Sequence, residues 1–404
     1  MTTVQLLVGT TKGAFILDGD KRRRDWSVRG PLCEGWPIHD LIVVPGTGAI
    51  LAAGGSPWYG PAVWRSDNGG TTWTHSSEGL TYDDGDAAGG DGGSGGGGGA
   101  EGGAGGDGAG DVAGGGGAGD VAGDGGGDWP PRRSVTTVWS LATGPNGMLY
   151  AGVEPAGLFR SADGGRTWSH VEGLTNHPTR PTWGPGAGGL ILHTIVPHPT
   201  DARRMWVGIS AVGVFETSDG GTTWEPRNRG VRADFNQEPD PITGQCVHKF
   251  AAAAGEPETL YQQNHCGQYR STDGGLEWTD LSGNGVPSQF GFPLVTHPRD
   301  PNTFWVIPLT QPEDGRYMPD ASAAVWRTSD GGETFTRGDT GLPQEDAYLS
   351  VLREAMARDT LDPVGVTFGT KTGQLWHSSD EGDTWRLVTG NLPEIWAVEA
   401  VVHD

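Results

Sequence analysis

Positive charge is what this sequence has least of. Its 404 residues carry 27 Lys and Arg against 50 Asp and Glu, a formal net charge of -23. So acidic a surface repels phosphate backbones and anionic headgroups, which removes nucleic acid and membrane from the expected partners. Cysteine is scarce too. Cys33, Cys246 and Cys266 cannot all pair, and they read as reduced thiols. No apolar run approaches the ~20 residues of a membrane helix. The opening MTTVQLLVGTTKG lacks the basic and apolar regions of a secretion signal. These absences predict a soluble, cytoplasmic protein. Also missing are GxSxG, a P-loop and a Rossmann fingerprint, so three common catalytic scaffolds drop out.

What is present is glycine, 72 residues, and tryptophan, 17, and a repeat distributes many of them. SDNGGTTW (Ser66 to Trp73) returns as SADGGRTW (Ser161 to Trp168), TSDGGTTW (Thr217 to Trp224) and STDGGLEW (Ser271 to Trp278). TSDGGETF (Thr328 to Phe335) and SSDEGDTW (Ser378 to Trp385) complete six copies. Self-similarity of this kind decides architecture before any single residue is read. Each copy follows a short apolar run, such as GLFRS or GVFETS, so it sits at the turn after a strand. Its Asp or Asn accepts bonds from the turn's own amides, its Gly supplies positive φ, and its aromatic anchors the next strand.

The motif resembles the BNR or Asp-box repeat of sialidase-like and sortilin-like proteins. That resemblance implies an all-β fold, a β-propeller, across nearly the whole chain. It does not by itself imply an activity. Each repeat reads as four strands, A to D, and VQLLVGT with GAFILD supplies strands B and C of one further unit. IWAVEAVV (Ile395 to Val402) resembles its missing strand A. The expectation is one domain over residues 1–404: a seven-bladed β-propeller closed by N- and C-terminal strands, with six blades as the alternative. Closure removes exposed sheet edges. Residues 85–128 are almost entirely Gly, Ala and Asp and cannot bury apolar surface, so they read as a flexible insertion between blades 2 and 3.

The repeated acids Asp163, Asp219, Asp273, Asp330 and Asp380 occur once per blade and serve the ring; in this family their turn lies opposite the ligand face. Residues that break the repeat carry more information. Aligning blades on strand B and stepping back to strand A places His39, Trp139, His193, His248, Phe292 and Glu354 at one level of the inner strands. His39, His193, His248 and Glu354 form a candidate metal set. Imidazoles and a carboxylate suit a divalent ion: Fe, Mn, Zn, Cu or Ni. The alternative is packing and backbone hydrogen bonding between blades. Asp40 and His265 are candidate catalytic residues. Trp139, Phe292, Asn264, Arg316 and Tyr317 are candidate substrate-binding residues around a channel mouth.

A two-carboxylate glycosidase could be built from Asp40, Glu154, Glu238 or Asp346, although no two are placed at the required separation. A Cys/His cluster on blade 5 alone, from Cys246, His248, His265 and Cys266, matches no zinc spacing. Sialidases need three arginines around a carboxylate and an FRIP-like strand; here that strand reads GAFIL. Three functions remain open. The first is a metal-dependent hydrolase or oxygenase acting on a small organic molecule in the top-face channel. The second is a non-catalytic scaffold or assembly factor with a protein partner. The third is a sialidase-like glycoside hydrolase or sugar-binding protein.

Overall fold

Short apolar runs separated by glycine-rich turns cannot support long helices, and they produce few. In the computed structural model about 5% of the chain is helical, and residues 2–56, 58–82, 134–236 and 241–403 are described. The expected insertion at 85–128 lies outside the described residues.

Among the described residues the strands form five antiparallel four-stranded sheets and one of eight strands that divides into two further four-strand units. Blade 1 is ordered Ile395–His403, Thr3–Thr10, Gly13–Asp20, Trp26–Leu32. Its first pair runs in register from Thr3↔His403 to Val8↔Val398, so the predicted closing strand is where the sequence put it. Blades 2 (Ile38–Val43 to Thr74–Ser76) and 3 (Thr137–Thr143 to Ser169–His170) share one eight-stranded sheet through the pair Gly55↔Thr137. Blades 4 to 7 start at Leu192–Pro197, Val247–Ala253, Gly291–Thr296 and Met356–Arg358. The seven inner strands touch in succession, and Ile395–His403 lies against both Met356–Arg358 and Ile38–Val43. The fold is an all-β propeller.

Each second strand has blades on both faces, which explains its continuous apolar sequence: Met205–Ile209 and Phe304–Pro308 are buried at every position. Tryptophan joins neighbouring blades. Trp206 Nε1 donates to Gly274 O at 2.8 Å and Trp305 Nε1 to Glu381 O at 2.9 Å, each reaching the next blade's repeated turn. Burying indole while satisfying its N–H makes these contacts both apolar and directional.

The repeated turn has one hydrogen-bond plan. At Asp163, Oδ1 accepts from the Arg166 and Thr167 amides, both at 3.0 Å, and Oδ2 accepts from Thr167 Oγ1 at 2.7 Å. Ser161 Oγ donates to Asp163 Oδ1 and accepts the Gly165 amide at 2.9 Å. Gly164 and Gly165 have φ of 79° and 85°, a region that only glycine enters without strain. Asp219, Asp330 and Asp380 repeat both the Oδ1–amide and the Oδ2–hydroxyl bonds, and Asp273, followed by Glu277 in place of the threonine, keeps the Oδ1–amide bond. These bonds hold the carboxylates below their ordinary range, at about 2 for Asp219 and Asp330. Their lone pairs are committed to the turn.

Candidate functional site

The inner strands share a feature that the aligned level concealed. His39, Trp139, His193 and His248 each sit where the pairing with the second strand slips, between Ile38/Asp40, Val138/Ser140, Leu192/Thr194 and Val247/Lys249. A β-bulge turns one side chain out of the alternating pattern and leaves a backbone group without its ladder partner. Here the preceding blade supplies that partner. Ser140 Oγ donates to Leu192 O at 3.0 Å, His193 Nε2 bonds Val247 O at 3.0 Å, and His248 Nδ1 bonds Gly291 O at 2.6 Å. At His193 and His248 the shared position serves blade-to-blade stitching, whereas His39 and Trp139 bond within their own blades.

The predicted metal set is therefore not assembled. His39 Nε2 bonds Gly55 O at 3.1 Å, and its ring lies between Trp139 and Trp396, with centroids 4.2 and 4.5 Å away. His193 has both ring nitrogens engaged, Nδ1 with Thr194 Oγ1 at 2.9 Å and Nε2 with Val247 O. Burial pushes the imidazoles down, His39 to about 4 and His193 and His248 well below their ordinary value. Glu354 pairs instead with Lys249 Nζ. Among the described residues the group that brings three metal-ligating side chains together is Cys246, His248 and His265, whose donor atoms lie within 4.8 Å of one another.

Deeper on the axis lies a charged cluster of which the sequence reading identified only Asp40 and Glu354. Asp40 Oδ1 accepts the Leu41 amide and Oδ2 the Leu141 amide, both at 2.8 Å, tying blade 2 to blade 3. Burial and then the Glu354 charge hold its carboxyl well above the usual range, against the pull of Lys249. Glu399, from the closing strand, is pushed up to about 7 by burial, partly offset by Arg358 and Lys249. These groups lie deep yet keep some accessible surface, 20% for the Lys249 side chain and 12% for Glu354, so solvent reaches the axis. One protonatable acid beside a compensated carboxylate is an arrangement suited to general acid–base work. Lys249 and Glu399 were missed because nothing in the repeat marks a side chain on the second register of the inner strand. Arg353 and Arg358 escaped for the same reason, since the blade 7 inner strand is the least regular.

The other predicted binding residues divide. Asn264 is fully buried, its Nδ2 donating to Gln262 Oε1 and its Oδ1 accepting the Cys266 amide, both at 3.0 Å, so it shapes the hairpin and does not face a ligand. Phe292 packs on His248 at 4.6 Å and beneath Arg353 at 5.4 Å. Trp139 donates Nε1 to Glu154 Oε2 at 3.2 Å, and Glu154 is raised by burial. Arg316 is exposed, and Tyr317 stands edge-on to Tyr348 at 5.0 Å. Asp346 has no place in the axial cluster, and Glu238 lies outside the described residues.

The exposed aromatics lie on one rim. Trp58 (88% exposed), Tyr59, Phe235 and Tyr348 all fall in loops joining second to third strands or one blade to the next, the side opposite the repeated turns. Tyr59 stacks on Trp36 at 4.7 Å, which fixes its ring while half its surface stays open. A groove of about 920 Å³ lies between blades 3 and 4 and includes none of the axial acids. One wall is the repeated turn Gly220 to Glu225, the other is the segment His170 to Thr179, and its His177 is already bonded to Thr179.

No family model matches the chain. A xyloglucanase of Paenibacillus sp is 27% identical over 231 residues, covering 51% of this chain and 21% of that enzyme, so the chain spans about a fifth of its length. An ancestral GH74 enzyme superposes with a TM-score of 0.52 at 14% identity, over 86% of this chain and 38% of that one. YCF48 bound to D1 peptide gives 0.50 at 14% identity, over 95% and 89%. A putative 6-phosphogluconolactonase from Bacteroides fragilis gives 0.52 at 10% identity, over 99% and 98%. At these identities the solved structures establish the β-propeller fold and nothing finer.

Proposed function

We propose that this protein is a carbohydrate-binding propeller of the glycoside-hydrolase kind, with its ligand held on the aromatic rim. The observation that carries the reading is the placement of Trp58, Tyr59, Phe235 and Tyr348 on one face above the axial acids. Flat aromatic rings match the apolar C–H faces of pyranose rings, and their exposure costs solubility unless a ligand uses it. The sequence likeness to a xyloglucanase supports the same class. We infer further that the six repeated turns are the Asp boxes of the sialidase-like group, since in each the Ser or Thr hydroxyl bonds both the Asp or Asn and the glycine amide, and Oδ1 accepts the amide four residues on. In this reading Glu399 is the proton donor, with Glu354 and Asp40 the carboxylates beside it.

The test is calorimetric titration with xyloglucan oligosaccharides, alongside a reducing-end assay. Wild type should bind, and Trp58→Ala should weaken binding roughly tenfold, the loss expected for one aromatic contact. Thermal stability should be unchanged because the side chain is exposed. Wild type that binds neither xyloglucan nor other polysaccharides overturns the reading.

A second reading rests on length. The peptide-bound YCF48 structure is matched over 89% of its chain, whereas the GH74 enzyme is matched over 38%. A non-catalytic scaffold holding an extended peptide on the same rim is consistent with that coverage. Peptide-array binding lost in Tyr348→Ala, with no sugar bound, would favour it.

A further inference from the structure

The cluster on blade 5 lies beside the rim, where the His265 hairpin meets Phe235, and includes none of the axial acids. Cys246 and His248 flank the start of the inner strand Val247–Ala253, and His265 lies in the hairpin that follows Glu256–Asn264. The His265 amide donates to Cys246 O at 3.0 Å, fixing the hairpin over the strand. Cys246 Sγ and His248 Nε2 are 3.5 Å apart, and all three donor atoms lie within 4.8 Å. Ligands bonded at about 2.0 to 2.3 Å to one ion sit about 3.3 to 4 Å from each other, so small rotamer changes close the set.

The tautomer is fixed as a ligand requires. His248 Nδ1 lies 2.6 Å from Gly291 O, an acceptor only, so Nδ1 carries the proton and Nε2 presents its lone pair towards Cys246. A histidine oriented through its other nitrogen by a backbone carbonyl is the usual second-shell support of a metal ligand. Among the described residues neither ring nitrogen of His265 has a hydrogen-bond partner. Its ring is held by Phe235, Phe290 and His248 at 5.5, 5.0 and 5.6 Å.

We propose that Cys246, His248 and His265 bind one copper(I) ion. The choice of ion follows from softness and charge. One thiolate and two imidazoles form a three-coordinate soft set. The positive charges of Arg353 and Arg316 bear on this cluster from the blade 7 strand and the blade 6 loop. Asp234 and Glu313 act on His265 in the opposite sense. A thiolate with a monovalent ion is neutral, whereas with a divalent ion it would leave a net positive charge beside two arginines.

The site is tested on the full reduced chain by anaerobic copper(I) titration against a chromophoric chelator. One equivalent should bind to wild type. Cys246→Ala and His265→Gln should each lower affinity at least a hundredfold, while Cys266→Ala should bind as wild type. His265 is half-exposed, so its variant should keep the wild-type melting temperature and remain informative if Cys246→Ala misfolds. Zinc(II) is titrated in parallel. No stoichiometric copper, or His265→Gln binding as tightly as wild type, overturns the site. Zinc bound more tightly than copper overturns the choice of ion.

Discussion

Arg23 and Asp359 meet across the ring closure, Nη1 to Oδ2 at 2.8 Å, with side chains only 6% and 1% exposed. Arg23 also donates to Pro363 O and Ser379 O, both at 3.0 Å, while Asp359 Oδ1 accepts the amides of Leu361 and Gly365. Blades 1 and 7 are thus joined by a buried ion pair whose hydrogen bonds reach the blade 7 backbone at four places. Removing one partner of such a pair leaves an uncompensated buried charge and costs about 3 to 5 kcal/mol. Arg23→Ala should lose stability on that scale in urea unfolding, and Arg23→Ala with Asp359→Asn should recover part of it. Equal stability of Arg23→Ala and wild type would show that the closure depends on strand pairing alone.

The repeated acids should behave as turn residues. Asn68 occupies the same place in the first copy, where Oδ1 accepts the Thr72 amide and Nδ2 donates to Thr72 Oγ1, both at 2.9 Å. An amide therefore performs the whole task. Asp163→Asn should cost under about 1 kcal/mol, and Asp163→Ala about 1 to 3 kcal/mol through the orphaned amides. Any catalytic activity should be the same in both variants once folded fractions are matched. Loss of activity in a fully folded Asp163→Asn would assign the carboxylate a chemical role.

Much of the fold was legible because the repeat recurs where hydrogen bonding requires it: the places of Ser161, Asp163 and Gly165 accept only a hydroxyl, a side-chain carbonyl or carboxylate, and a glycine, as Thr217, Asn68 and Gly221 show. The closing strand was legible because IWAVEAVV has the apolar pattern of an inner strand and no partner nearby in sequence. The site was less legible for a specific reason. His39, His193 and His248 were correctly placed at one level, but a shared level has two causes, convergence on the axis or a bulge repeated in each blade. Only coordinates distinguish them. Lys249, one residue beyond His248, faces the axis because the bulge reverses the alternation there, and no periodicity reveals a bulge. Glu399 lies on a strand recognised for its apolar residues, so its single acid passed unremarked.

His193 should prove structural. Its two ring nitrogens are bonded and its side chain is 1% exposed, so no donor is left for an ion. His193→Ala creates a cavity and orphans Val247 O, a combined loss of about 2 to 4 kcal/mol. Melting should shift by several degrees while copper stoichiometry stays at that of wild type. A variant with wild-type stability but without metal would reverse the assignment.

Glu399 makes stability depend on pH with a definite sign. Burial raises its pKa in the folded state to about 7 from an ordinary 4.5, so between these values the native state holds a proton that the unfolded chain has released. Its contribution is therefore complete below about pH 4.5 and is lost progressively as pH rises to about 7. Water at the axis moderates the effect, which should reach a few kcal/mol at most. Glu399→Gln keeps the shape and removes the titration. It should match wild type near pH 5 and exceed it above pH 7.5, where wild type must bury a charge beside Glu354. Asp40, raised by the same burial, adds a slope of the same sign that Glu399→Gln leaves in place. The check is urea unfolding of both proteins from pH 5 to 8, read as the difference between the two curves. A difference that is flat with pH would mean that Glu399 is ionised in the folded protein throughout, paired with Arg358 or Lys249, and would remove it as the proton donor.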